Sequence, residues 1–242
     1  VTAGPDPPSS PELSRRVRDV EERIARACEA ANRDRSEVTL VAVSKTHPFE
    51  TVRRAVEAGL TVFGENRVQE GVRKIEALRP DFPDLSWRLI GRLQTNKAKT
   101  AVRYFEEIQS VDRISLLEIL SREAGASNRY PIYVEVNVGG EVSKGGVPPA
   151  ECGALVRAAL AAPSIELRGL MTVPPFSDDP EASRPYFREL RGMRDRLEQE
   201  TGSPLPGLSM GMSHDFEVAV QEGATMVRVG SAIFGSRHVE GP

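Results

Sequence analysis

Eight short apolar runs alternate with stretches of helical period along 242 residues, with no linker-like interruption. That order and length predict an α/β protein, a single (β/α)8 barrel of the TIM type with an N-terminal lead-in helix. The runs are Val38–Val43, Leu60–Phe63, Trp87–Leu93, Ile108–Val111, Ile132–Val138, Ile165–Val173, Leu208–Met212 and Met226–Phe234. Most are apolar almost throughout, as strands covered on both faces must be; half-exposed antiparallel strands would alternate instead. A doubly wound open sheet is the alternative the same pattern permits.

In chain order, residues 1–11 are rich in proline and serine and read as a disordered tail, leaving 12–242 as one domain. Leu13, Val17, Val20, Ile24 and Cys28 then recur at three- and four-residue intervals, the period of an amphipathic helix. Later helices show the same period in Cys152, Leu155, Val156, Ala159 and Leu160, and in Tyr186, Leu190, Met193 and Leu197. Asp112 is placed to cap a helix beginning at Arg113, Pro148 and Pro149 open the helix carrying Cys152, and Pro163 closes it. Gly59, Gly125 and Gly223 stand just past helical stretches, where a left-handed closing residue is wanted.

Composition narrows the partners. Lys and Arg total 32 against 35 Asp and Glu, so a formal charge of −3 gives no electrostatic reason to expect nucleic acid or an anionic membrane. Small molecules remain. Two scattered cysteines, Cys28 and Cys152, make no disulfide framework, and the N-terminal residues lack a basic stretch followed by an apolar one. A cytoplasmic protein is expected.

A parallel barrel works at the face where its strands end. Lys45 ends the first run, and in a closed barrel it faces Gly230 and Ser231 at the end of the neighbouring eighth strand. Lysine can form a Schiff base, and apolar walls would lower its amine pKa enough to make it nucleophilic. Glycine lets backbone amides approach an anion and serine adds a hydroxyl, so Gly211-Met212-Ser213 and Gly230-Ser231 read as adjacent phosphate turns. An aldehyde on the lysine and a phosphate on the turns describe pyridoxal 5′-phosphate. Arg228, inside an apolar strand, must pair with a carboxylate such as Glu65 or meet the ring nitrogen of a bound pyridine.

Three patterns are discounted. Ser213-His214-Asp215 holds the members of a hydrolase triad, but adjacent side chains cannot make the relay, and Asp215 is expected to cap the next helix. The 138–146 loop has its lysine before the final glycines, unlike a Walker loop, and is expected to be a mobile cover over the barrel mouth. The three histidines have no second ligand at metal spacing.

At these residues the chain resembles the pyridoxal phosphate homeostasis proteins, also called the proline synthetase co-transcribed type, from about Val38 to Arg237. The resemblance rests on Ala42-Val43-Ser44-Lys45-Thr46, Phe63-Gly64-Glu65-Asn66, Ile90-Gly91 with Leu93-Gln94 and Asn96-Lys97, Ser110-Val111-Asp112, Gly169-Leu170-Met171, Leu208 to Ser213, and Val227-Arg228-Val229-Gly230. It implies a barrel like the N-terminal domain of alanine racemase. Lys45 would be the Schiff-base lysine, Arg228 would meet the pyridine nitrogen, and Ser213, Gly230 and Ser231 would hold the phosphate. Asn66, Met171, Gly211 and Met212 are expected to complete the pocket. Arg88 departs from the family, which often has histidine there.

The function this implies is intracellular homeostasis of pyridoxal 5′-phosphate, as a carrier or buffer without turnover, with apo-enzymes as the expected acceptors. The alternative is a racemase or decarboxylase using the same cofactor. Against it stands the shortness of the segment after the last strand, where a racemase has the domain that supplies its opposing base. A Schiff-base aldolase acting on a phosphorylated sugar would also use a lysine and a phosphate turn.

Overall fold

The computed structural model describes residues 8–125, 129–141 and 144–235. Eight parallel strands close into a barrel in sequence order, the first hydrogen-bonded to the last. They are β1 Thr39–Val43, β2 Val62–Glu65, β3 Ser86–Leu89, β4 Glu107–Val111, β5 Tyr130–Glu135, β6 Ile165–Met171, β7 Gly207–Met212 and β8 Met226–Val229. The helices are α1 Ser10–Ala30, α2 Phe49–Glu57, α3 Val68–Leu78, α4 Ala98–Tyr104, α5 Ile114–Ala124, α6 Pro149–Ala161, α7 Arg184–Thr201, α8 Phe216–Gln221 and α9 Ser231–Phe234.

The lead-in helix has a structural reason. α8 and α9 are too short to cover the barrel wall behind them, and α1, with 21 residues, packs across both. Its apolar stripe, Leu13, Val17, Val20 and Ile24, is buried, and Arg23 pairs with Glu217 of α8 at 2.7 Å. Because α1 starts at Ser10, Ser10 and Pro11 belong to the helix and not to the expected tail, whose residues 1–7 lie outside the described ones.

Most of the core lies between strands and helices. The barrel interior is different. One part is apolar, with Val41, Tyr133, Met171 and Met226 in one cluster. The other is a polar chain: Arg88 lies 3.5 Å from Glu107, Gln109 donates to Glu107 at 2.8 Å, Ser209 donates to Gln109 at 2.7 Å, and Arg228 donates to Ser209 at 2.6 Å. Arg88 therefore has a place in this chain as the partner of Glu107.

Several boundaries shift. The run Trp87–Leu93 outlasts its strand, and Met226–Phe234 divides into β8 and α9 at Gly230. Asp112 does not cap α5: Arg113 holds the cap position, and Asp112 is ion-paired to it. Gly59, Gly125 and Gly223 all have positive φ, as expected of closing residues. Cys28 and Cys152 are buried and unbridged. Among the described residues no helix is long and apolar enough to cross a membrane.

Candidate functional site

β1 ends at Val43, and the next three residues turn under tight control. Ser44 is fully buried and its carbonyl accepts from Lys74 Nζ at 2.7 Å. The same Nζ lies 2.6 Å from Glu65 Oε1 and 2.8 Å from Glu70 Oε1, and Ser44 Oγ donates to Glu65 at 2.5 Å. Glu70 also accepts from the Thr46 amide, and Thr46 has φ of 69°, a left-handed conformation that a β-branched residue adopts only under constraint. The Lys74–Glu65–Glu70 cluster thus fixes the residues on either side of Lys45. Burial pushes the Glu65 carboxyl above its ordinary range despite Lys74. Burial acts on Glu70 as well, but the bonds from Lys74 and Thr46 outweigh it and hold Glu70 low. The only mark of Lys74 in the sequence is Glu70 four residues before it on a helix face.

Closure of the barrel brings Lys45 to the end of β8. Lys45, Gly230 and Ser231 line one seam of about 30 Å³ with Val43, His47 and Gly235. Gly230 lies against β1 so closely that a Cβ there would stand 3.3 Å from the Val43 carbonyl. Its amide and that of Ala232 converge on Ser213 Oγ, at 3.0 and 3.2 Å. Two amides, the Ser213 hydroxyl and the exposed Ser231 hydroxyl form the kind of donor set that suits an anionic oxygen group.

Arg228 is buried at the centre of β8. Besides Ser209, it donates to the Thr172 carbonyl at 2.8 Å; Glu65 is committed to Lys74 and Ser44, so the Arg228–Glu65 pairing that the sequence allowed is not formed. Burial pushes the guanidinium down to about 10, with Glu135 and Asp215 opposing through space, so it stays charged at neutral pH. Glu135, at the end of β5, is pushed up to about 7 by burial and then by Asp112, while Arg228 and Arg92 pull it back. Glu135, like Arg228, is a lone charge in an apolar run, and that is the signal by which the sequence marks it.

The remaining expected residues separate. Gly211 has φ of 92°, and a Cβ there would meet the Ala219 methyl at 2.5 Å, so the approach of β7 to α8 requires glycine. Met212 is half-buried, and its amide donates to Asp215 Oδ1 at 2.7 Å. Asp215 stands at the N-cap of α8 yet makes no cap bond; its other oxygen accepts from Ser183 at 2.8 Å, so its carboxylate braces β7 instead. Those two bonds leave it no triad with Ser213 and His214. Met171 is sealed inside the barrel, and Asn66 lines a different cavity from Lys45. In the 138–146 loop Val142 and Ser143 lie outside the described residues, while Lys144 donates to the Pro174 carbonyl at 2.9 Å.

Residues 18–238 match the family model of the alanine racemase N-terminal domain. A solved alanine racemase from Streptomyces coelicolor A3(2) superposes with a TM-score of 0.69 at 22% identity, covering 91% of this chain and 59% of that one, which is a likeness of fold. The chain is 49% identical over 223 residues to the pyridoxal phosphate homeostasis protein of Aquifex aeolicus, covering 92% of this chain and 97% of the relative. PipY of Synechococcus elongatus PCC7942, solved with PLP bound, superposes with a TM-score of 0.81 at 36% identity over 92% of this chain and 100% of that one. The chain belongs to the pyridoxal phosphate homeostasis protein family.

Proposed function

We propose that this chain binds pyridoxal 5′-phosphate in the cytoplasm, with Lys45 as the covalent anchor, and holds it for release to apo-enzymes without turning over amino acids. The observation that carries the reading is the seam shared by Lys45, Gly230 and Ser231, with two amides and the Ser213 hydroxyl gathered beside it. The naming of the relatives as homeostasis proteins, and the solved relative with PLP bound, support it. When bound, the cofactor supplies an aldehyde and a phosphate. Lys45 offers the amine to the first; Ser213, Gly230 and Ser231 offer hydrogen bonds to the second.

Arg228 would face the pyridine nitrogen. A guanidinium that stays charged donates a hydrogen bond there without giving up its proton, which leaves the ring a weak electron sink. Carrying is favoured over carbanion chemistry for that reason. Borohydride reduction and peptide mapping of cofactor-loaded protein should place the pyridoxyl group on Lys45. Labelling confined to Lys74, Lys97 or Lys144, with Lys45→Ala still retaining cofactor, would refute the assignment. Deuterium exchange at the α-carbon of L-alanine or L-serine above that of free cofactor, lost in Lys45→Ala, would establish an enzyme in place of a carrier.

A further inference from the structure

A large cavity among the described residues is lined by neither Lys45 nor the β8 turn. It measures about 740 Å³, within the range of small-molecule sites, and lies among the segments that follow β2, β3 and β4. Arg67, Arg92, Lys97 and Arg113 all line it, and no carboxylate does. Arg113 is compensated by Asp112, which leaves Arg67, Arg92 and Lys97 as like charges around one hollow that an anion would join favourably. Arg113 is held in place by Asp112 and by its bond to the Leu93 carbonyl at 3.2 Å.

The rest of the lining sets the ligand class. Asn66, Gln69, Gln94 and Asn96 supply carboxamides, and Asn66 Oδ1 is buried without a hydrogen-bond partner, an acceptor left waiting for a donor. Gly91 keeps the β2 and β3 segments together, since a Cβ there would stand 2.3 Å from the Asn66 carbonyl oxygen. No aromatic ring lines the hollow, so nothing there would stack on a base. Guanidiniums suit phosphate, and carboxamides suit hydroxyl groups.

We propose that this cavity is a second binding site, for a small hydroxylated phosphate ester such as a doubly phosphorylated sugar or polyol. It gives a place to Gln94, Asn96 and Lys97, which the cofactor reading leaves without a task, and sets Asn66 among them. The proposal does not rest on Lys45.

Calorimetric titration of the full chain with fructose 1,6-bisphosphate, inorganic pyrophosphate and fructose tests it. The bisphosphate should bind at a single saturable site, at least about tenfold tighter than pyrophosphate, and fructose should not register. Arg92→Gln with Lys97→Gln should weaken the bisphosphate at least about tenfold, and Lys45→Ala should leave it within about twofold. Arg67→Gln, at an exposed position, replaces the double variant if that unfolds. No saturation at millimolar ligand, equal affinity for pyrophosphate, insensitivity to the cavity variants, or loss in Lys45→Ala would each overturn the proposal.

Discussion

Lys74 and Arg228 are both buried cations near strand ends, and they are compensated in opposite ways. Lys74 touches two carboxylates within 2.8 Å and a carbonyl oxygen, so its charge is spent inside the fold. Arg228 touches only a hydroxyl and a carbonyl oxygen; the carboxylates that act on it do so through space. A cation neutralised by its neighbours braces a structure, whereas one held by neutral acceptors keeps charge available to a ligand. Lys74 is the brace that fixes the Lys45 turn, and Arg228 is the side chain proposed to meet the cofactor.

The largest effect should come from breaking the brace. Lys74→Met leaves Glu65 buried with a charge and no cation, which costs about 3 to 5 kcal/mol of stability. Urea unfolding at pH 7 reads it, and adding Glu65→Gln to the variant should restore part of the loss. A change below about 1 kcal/mol would mean that Lys74 does not neutralise this cluster.

Compensation of Arg228 also depends on pH through Glu135, whose charge acts on it through space. Its folded pKa of about 7 exceeds the ordinary carboxylate value, so the native state holds a proton that the unfolded state has released. Stability from this group is therefore full below about pH 4.5 and falls as pH rises to about 7, by on the order of 2 to 3 kcal/mol. Denaturant unfolding between pH 5 and 8 should show that decline, and Glu135→Gln should flatten it. A stability that rises over the same window in the unmodified protein, and is unchanged by the substitution, would remove Glu135 from the account.

The barrel, its strand order and the meeting of Lys45 with the β8 turn were legible because they follow from apolar period and closure alone. Lys74 and Glu135 were not. A single sequence shows a charge on a helix or at a strand end without showing what lies across from it, and Glu65 could as well have served Arg228. Asp215 was misread for a similar reason: its position before α8 fits a cap, but the Met212 amide and the Ser183 hydroxyl reach its carboxylate first. Asn66 was picked out by its place after β2, and a single sequence does not show that the cavity it lines lies beside the segments after β3 and β4.

At the turn proposed to hold the phosphate a smaller effect is expected. Ser213→Ala removes the acceptor for the Gly230 and Ala232 amides, both only partly buried, so water can replace it and the cost should be about 1 kcal/mol. Affinity for pyridoxal 5′-phosphate should fall, while affinity for unphosphorylated pyridoxal should hardly change. Equal losses for both vitamers would place the hydroxyl's role away from the phosphate.

Arg228→Met should have the smallest effect on stability, and it sharpens the contrast with Lys74 most. No carboxylate hydrogen-bonds to Arg228, so removing it strands no directly paired buried charge; Ser209 keeps its bond to Gln109, and only the Thr172 carbonyl loses a donor. The desolvation penalty of the guanidinium disappears at the same time. At pH 6, where Glu135 is mostly protonated, the net change should stay within about 1 kcal/mol, although the residue is as deeply buried as Lys74. Cofactor affinity should nevertheless drop, and the visible absorption band of the loaded protein should shift if Arg228 makes the proposed hydrogen bond to the pyridine nitrogen. A loss of several kcal/mol with an unchanged band would make Arg228 a brace like Lys74 and end its assignment to the cofactor.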